Sequence, residues 1–84
     1  MYQIRTDDEA VEQIAALPVA ALSGYAEALG VMKLIPWNGI PLNKDNPDGE
    51  VRQLVFGPGG DGMVTYLILE DQQRVDVLRV TWVG

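Results

Sequence analysis

The residues that could do chemistry in this sequence are few, because it contains neither histidine nor cysteine. Without histidine, acid/base chemistry near neutral pH falls to Lys44, Glu50 and Tyr66. Arg52 and Arg79 could stabilise an anion that develops during a reaction. Lys44 and Glu50 are close enough in sequence to share a cleft. The absence of thiols also excludes disulfides, a thiolate zinc site and a cysteine nucleophile.

Two of these five residues also have a structural interpretation. Tyr66 continues the alternating apolar pattern of its segment, as a core or rim aromatic residue would. Arg79 lies among Val and Leu, where a charge needs a carboxylate partner or a ligand. An ion pair of Arg79 with Glu70 or Glu50 is therefore the structural alternative to a catalytic role.

The two tryptophans, Trp37 and Trp82, are candidate contacts for a protein partner. Tryptophan is enriched in the residues that dominate binding energy. A small domain with 48% hydrophobic residues can also leave part of its apolar surface for a partner. Core packing explains either tryptophan equally well.

Length and charge limit the classes of function. A chain of 84 residues predicts a single domain spanning 1–84. Six scattered cations against 12 acidic residues give a net charge of −6, which disfavours autonomous nucleic-acid binding and permits a basic protein partner. No apolar run approaches 18 residues and no signal peptide is evident, so we expect a cytoplasmic protein without a membrane span.

The first third of the chain predicts a strand and then two helices. Residues 1–5 alternate apolar and polar side chains. Thr6 and Glu9 have the spacing of a capping box, so a helix is predicted to begin there. Pro18 is predicted either to end this helix or to lie in the first turn of the next one.

The second helix is predicted over residues 19–33, where Gly24 and Gly30 lower the helix propensity and suggest close packing. Its predicted buried stripe consists of Leu22, Tyr25, Ala26, Leu29 and either Met32 or the stem of Lys33. The two helices are expected to form a hairpin over a sheet.

Residues 36–50 predict one long, ordered surface loop, because they contain three prolines and many turn-forming residues. Four of its side chains could offer oxygen ligands to a metal ion: Asn43, Asp45, Asn46 and Asp48. Turn formation accounts for the same residues without a metal, so we expect none.

The last third predicts three strands, over 51–56, 63–70 and 74–83. The glycine-rich segment 57–62 runs into a strand rather than a helix, which favours a turn over a phosphate-binding loop. Both faces of the last strand are partly apolar, so it is expected to be central and covered on both sides. The predicted fold class is α+β with the order β-α-α-β-β-β, an antiparallel sheet covered by a helical hairpin.

The order of these elements and three segments resemble the RelE/ParE superfamily of toxins from bacterial type II toxin–antitoxin pairs. The segments are Val51-Arg52-Gln53-Leu54, Val64-Thr65-Tyr66 and Val75-Asp76-Val77-Leu78-Arg79-Val80. The resemblance implies a toxin that cleaves ribosome-bound mRNA or inhibits DNA gyrase, and that a cognate antitoxin neutralises. It implies metal-independent chemistry without a cofactor, with Arg52, Arg79 and Lys44 as counterparts of the family's basic residues.

Two positions depart from the family pattern. Met63 stands where the family has a catalytic arginine, and Trp82 where it often has histidine. A second hypothesis is therefore a catalytically silent relative that keeps the antitoxin groove or self-associates as a homodimer through a sheet edge.

Overall fold

Two helices and five strands make up the regular structure of the chain. The computed structural model describes all residues from Met1 to Gly84. In chain order the elements are β1 (Gln3–Thr6), α1 (Asp8–Ala15), α2 (Val19–Leu34), β2 (Ile40–Pro41), β3 (Val51–Phe56), β4 (Gly62–Leu69) and β5 (Arg74–Trp82). Short 3-10 turns over Pro36–Asn38 and Glu70–Gln72 precede β2 and β5.

The five strands form one sheet in the order β1-β5-β4-β3-β2. β3, β4 and β5 pair antiparallel to their neighbours, which confirms the pairing predicted for the last three strands. Two features were not predicted. β1 runs parallel to β5, and the two-residue β2 extends the sheet beyond β3 from within the expected loop.

Both helices pack on the same face of the sheet, as expected. α1 lies mainly over β5 and α2 mainly over β3. A single apolar cluster fills the space between the two layers, and its largest fully buried side chains are Tyr66, Met32, Ile68, Val64, Val75 and Val77. Neither helix is long and apolar enough to cross a membrane.

The start of α1 differs from the predicted capping box. Thr6 is the last residue of β1, and Asp7 takes the N-cap position without a side-chain capping hydrogen bond. Thr6 remains in β1 because the next amide, that of Asp7, donates a hydrogen bond to the Val77 carbonyl and so continues the pairing with β5. Two acidic residues, Asp8 and Glu9, remain in the first turn, where they suit the positive end of the helix dipole.

The buried stripe of α2 is offset from the predicted one. Of the predicted stripe, Tyr25 and Met32 are buried and Leu29 is half-buried, whereas Leu22 and Ala26 are exposed. The small residues Ala21, Gly24 and Ala28 complete the buried side. Small residues face the sheet because the helix lies very close to it. A Cβ atom on Gly24 would lie 2.8 Å from the Gly57 backbone nitrogen, which confirms close packing there. Gly30 has no neighbour within 4 Å of its Cβ position, so the same expectation is wrong for it.

A β-bulge in β5 changes which side chains face the helices. Thr65 pairs with Arg79 but Tyr66 pairs with Val77, so Leu78 is an extra residue. Val77 and Val80 are both buried on the helix side, while Leu78 and Arg79 face away from it. The expected coverage of both faces of this strand is therefore wrong, and one face of the sheet stays uncovered.

Candidate functional site

The uncovered face of the sheet carries the largest depression of the molecule, a cleft of about 510 Å³ that we call the open-face cleft. It is lined by four apolar residues, three neutral polar residues and one cation. These are Leu42, Val51, Met63 and Leu78, then Gln53, Thr65 and Thr81, then Arg79. The lining comes from three neighbouring strands and from the residue that follows β2.

Strand alternation places most of this lining. Val51 and Gln53 are two apart on β3, and Met63 and Thr65 are two apart on β4, so each pair lies on one side of the sheet. The side chain of Gln53 donates to the Thr65 hydroxyl at 3.4 Å. The β5 bulge then adds two consecutive residues to the same side.

Arg79 is exposed in this cleft and has no partner within the chain. The three ion pairs of the molecule are Arg5–Asp7, Arg5–Asp76 and Arg74–Asp76, and Arg79 makes no side-chain hydrogen bond. The predicted ion pair of Arg79 with Glu70 or Glu50 is therefore wrong. Because its guanidinium is unpaired, Arg79 is free to bind an anionic group of another molecule.

Arg52 lies on the opposite side of the sheet and is buried. Its guanidinium donates four hydrogen bonds of 2.8–3.1 Å to backbone carbonyls, those of Trp37, Gly39, Pro47 and Gly49. It also stacks over the Trp37 ring, 5.0 Å from the ring centre. These contacts hold the 36–50 segment against the sheet. All three guanidinium nitrogens donate within the chain, and the role of Arg52 in stabilising an anion stays a prediction.

Tyr66 lies in the core, between the sheet and the helices. Its side chain is fully buried, and its hydroxyl donates a 2.6 Å hydrogen bond to the Pro36 carbonyl. Burial raises the pKa of Tyr66 to about 12, although the nearby Arg52 charge opposes this shift. Its burial fits the alternative of a core aromatic, and the catalytic role of Tyr66 stays a prediction.

Lys44 and Glu50 lie outside the open-face cleft. Lys44 is exposed in the loop after β2 and lines none of the five depressions. Glu50 is exposed and lines two smaller depressions, one of about 150 Å³ beside the Glu70–Gln72 turn and one of about 180 Å³ that shares Leu42 and Val51 with the open-face cleft. The five predicted catalytic residues are thus not brought together, and Arg79 alone lies in the cleft.

The two tryptophans occupy different environments. Trp37 is 38% exposed, and its indole N–H donates a 2.6 Å hydrogen bond to the Glu70 carboxylate. Trp82 is half-buried on the helix side of the sheet, with its ring centre 6.0 Å from that of Phe56. Their roles as partner contacts stay predictions, with Trp37 the more accessible of the two.

Glu70 organises a hydrogen-bonded cluster that was not predicted from the sequence. Its carboxylate accepts hydrogen bonds from the hydroxyl of Tyr2 at 2.7 Å and from the side chains of Trp37 and Gln73, both at 2.6 Å. The Tyr2 hydrogen bond first, and then that of Trp37, lower the pKa of Glu70 below its ordinary value. No sequence signal connects these residues, because they lie up to 68 positions apart.

The possible oxygen ligands of the 43–48 loop serve as turn residues. The side-chain oxygen of Asn43 accepts a 2.9 Å hydrogen bond from the Asp45 amide, as in an Asx turn. No group of three or more Asp and Glu residues is arranged to hold a metal ion.

Comparison with known proteins finds similar folds among solved structures. No family model and no curated protein matches the sequence. Among solved structures, the isolated E. coli RelE toxin superposes with a TM-score of 0.80 at 12% identity, covering 100% of this chain and 86% of that chain. The intact E. coli RelBE toxin–antitoxin complex gives 0.79 at 13% identity, covering 100% and 99%. The archaeal RelE–RelB complex from Pyrococcus horikoshii OT3 gives 0.64 at 18% identity, covering 99% and 96%.

The chain therefore has the α+β fold of the RelE toxins over its whole length. At 12–18% identity the likeness establishes the fold, and function depends on the residues that the fold carries. The RelE/ParE resemblance seen in the sequence is confirmed at the level of the fold.

Proposed function

We propose that this chain is the toxin component of a toxin–antitoxin pair, bound and neutralised by a cognate antitoxin, with the open-face cleft as its working surface. Two of the similar solved structures are complexes of a RelE chain with a RelB chain. The superpositions on these two complexes cover 96–100% of both chains, which supports a partner of the same kind here.

The observation that carries the proposal is the free guanidinium of Arg79 in the largest cleft of the fold. A free guanidinium can bind an anionic group of a target through strong, charge-assisted hydrogen bonds. The cleft adds hydroxyls and an amide but no acid/base pair. Because each missing anion-stabilising donor lowers a rate by about 10²–10³, this composition favours action by binding to the ribosome or to gyrase over rapid mRNA cleavage.

Induction of the chain alone in a bacterial host tests the proposal. We expect growth arrest, with rescue by co-expression of the open reading frame next to its gene. Arg79→Ala should relieve the arrest, whereas Lys33→Ala, which removes an exposed charge on α2, should not. Normal growth at a good yield of soluble wild-type protein would contradict the proposal.

A catalytically silent binding module is the second candidate, favoured by the structural use of Arg52 and Tyr66. It predicts a stable complex with an antitoxin-like chain but neither growth arrest nor cleavage of mRNA on ribosomes. Self-association through β1, an edge strand of the sheet, belongs to the same candidate. Analytical ultracentrifugation of the chain alone would reveal a dimer.

A further inference from the structure

Asn38 and Gly39 form the one asparagine–glycine pair of the chain, in the connection between α2 and β2. In such a pair the glycine amide nitrogen can attack the carbonyl carbon of the asparagine side chain, because glycine has no Cβ atom to hinder the approach. The side chain of Asn38 is exposed and makes no hydrogen bond within the chain. Its carboxamide is therefore free to react with the Gly39 nitrogen.

The other two asparagines of the chain lack this combination. The side-chain oxygen of Asn43 already accepts a 2.9 Å hydrogen bond from the Asp45 amide, and the residue after Asn43 carries a side chain. Asn46 precedes Pro47, whose nitrogen has no hydrogen to lose. Spontaneous chemistry of this kind is therefore directed to position 38.

Packing requires the glycine at position 39. Gly39 is buried, and a Cβ atom there would collide with the Tyr66 hydroxyl. The Gly39 amide donates to the Pro36 carbonyl at 3.3 Å, which is long for such a hydrogen bond, while the same carbonyl accepts the 2.6 Å hydrogen bond from Tyr66. The 3-10 turn therefore restrains the attacking nitrogen only weakly.

We infer that Asn38 is a site of spontaneous deamidation, gated by the contacts that hold the 36–50 connection. The Gly39 amide gives up its proton and bonds to the side-chain carbon of Asn38, and the side-chain nitrogen takes up a proton and leaves as ammonia. Water then opens the succinimide ring at either carbonyl, which leaves an aspartyl or an isoaspartyl residue at position 38. Ring closure requires the Asn38 backbone to leave its 3-10 conformation, so the rate follows the population of the opened turn.

The isoaspartyl product would change the contacts of Arg52. The carbonyls of the two flanking residues, Trp37 and Gly39, both accept from the same nitrogen of Arg52, Nη1, at 3.1 and 3.0 Å. An isoaspartyl residue adds one carbon to the main chain between these carbonyls, so Nη1 no longer reaches both in this geometry. The connection then loosens, together with Leu42 in the lining of the open-face cleft. This inference does not depend on the proposed function.

Mass spectrometry of the chain during incubation in neutral buffer measures the reaction. Trypsin cleavage after Lys33 and Lys44 releases a peptide that contains Asn38, and a synthetic peptide of the same sequence gives the rate without the fold. Fragmentation of the peptide distinguishes Asn38 from Asn43. We expect loss of the amide at position 38 in both samples, at least about fivefold slower in the folded chain. Asn38→Gln should show no such loss over the same period.

Variants of the anchoring contacts test the gating. Arg52→Lys should accelerate deamidation at position 38 at least about threefold, because fewer contacts keep the turn closed. Trp37→Phe removes the indole hydrogen bond to Glu70 and keeps an aromatic ring beside Arg52. It should also accelerate the reaction, and it serves if Arg52→Lys does not fold. Arg79→Lys, on the other side of the sheet, should react at the wild-type rate.

The deamidated chain has one more negative charge, so ion exchange separates it from the unmodified chain. Limited proteolysis within 42–50 should be faster in its isoaspartyl fraction than in the wild type. Freshly prepared Asn38→Asp has the same charge with an unaltered main chain, so it should be cleaved at the wild-type rate.

Three results would overturn the inference. The first is a folded wild type that keeps the Asn38 amide while the synthetic peptide loses it. The second is an equal deamidation rate in the wild type and in the folded anchor variants. The third is an isoaspartyl fraction cleaved no faster than Asn38→Asp, which would show that the longer main chain does not release the connection.

Discussion

The hydroxyl of Tyr66 donates a 2.6 Å hydrogen bond to the backbone carbonyl of Pro36. This contact joins the centre of β4 to the 3-10 turn that follows α2, across 30 positions of sequence. Because burial raises the pKa of Tyr66 to about 12, the hydroxyl keeps its proton and remains a donor throughout the neutral range. The contact is therefore a fixed structural link between the sheet and the start of the long connection.

Removal of this hydroxyl should destabilise the fold. Tyr66→Phe leaves the Pro36 carbonyl without its donor in a buried site, which costs about 1–3 kcal/mol in the free energy of unfolding. Urea denaturation followed by circular dichroism measures that difference.

The chain offers a matched control in Tyr25. Its hydroxyl is buried without any hydrogen-bond partner, so Tyr25→Phe removes an unsatisfied polar group instead of a hydrogen bond. We expect Tyr25→Phe to be neutral or stabilising. Equal destabilisation by the two variants would show that the Tyr66 hydrogen bond contributes nothing beyond the loss of a hydroxyl.

Replacement of Arg52 by lysine should loosen the 36–50 connection although the charge is kept. A lysine ammonium cannot reproduce a fork that reaches four carbonyls and stacks on Trp37. Hydrogen bonds from charged donors contribute about 1.5–3 kcal/mol each, so Arg52→Lys should lower the free energy of unfolding by at least about 2 kcal/mol. Limited proteolysis within 42–50 should also accelerate.

Arg79→Lys is the control for that experiment. The Arg79 side chain has no partner within the chain, so its replacement should change stability by less than about 0.5 kcal/mol. A stability loss at Arg79 as large as that at Arg52 would contradict the assignment of Arg52 as the structural cation.

The strand pairing could be predicted from the sequence, whereas the identity of the free cation could not. Period-two alternation and short turns are local signals, and they indicate the β3-β4-β5 meander. A bulge inserts one residue without a local signal, and this bulge decides that Arg79 faces the cleft. Arg52 looks like Arg79 in sequence, but its role depends on carbonyls up to 15 positions away.

The burial of α2 illustrates a second limit. Periodicity favoured a stripe that places Leu22 beside Tyr25, because hydrophobicity usually marks the buried side of a helix. The chain instead turns small residues toward the sheet, where Gly24 meets Gly57. The choice between the two stripes depends on how closely α2 approaches the turn after β3. That distance is set by tertiary packing and is not visible in the sequence of the helix.

Gly24 and Gly30 of α2 should respond in opposite directions to alanine. At Gly24 the new methyl group would lie 2.8 Å from the Gly57 nitrogen, so the helix must shift, at a typical overpacking cost of about 1–3 kcal/mol. At Gly30 the space is empty, and alanine should stabilise the helix by about 0.5–1 kcal/mol. Thermal unfolding of the two variants measures both effects, and a stabilising Gly24→Ala would mean that α2 does not approach the 57–60 turn this closely.

The Glu70 cluster should make part of the stability depend on pH. Hydrogen bonds from Tyr2 and then Trp37 lower the pKa of the folded carboxylate below its ordinary value. A carboxylate whose pKa is lowered in the folded state stabilises the fold above its unfolded pKa of about 4.3, and this contribution disappears as the pH falls through the folded pKa. We therefore expect Glu70→Gln to lower the melting temperature at pH 7, with the difference from the wild type shrinking below pH of about 4.

Glu12→Gln on the exposed side of α1 is the control, since the Glu12 side chain makes no ion pair or hydrogen bond. Its melting temperature should follow that of the wild type over the same pH range.

The indole N–H resonance of Trp37 provides a local readout, because its 2.6 Å hydrogen bond ends on the Glu70 carboxylate. That resonance should move in the wild type as Glu70 takes up its proton, and should stay in place in Glu70→Gln. A wild-type resonance that stays constant down to a pH of about 2 would contradict the hydrogen bond between the indole and the Glu70 carboxylate. It would mean that the charge of Glu70 does not fix the position of Trp37.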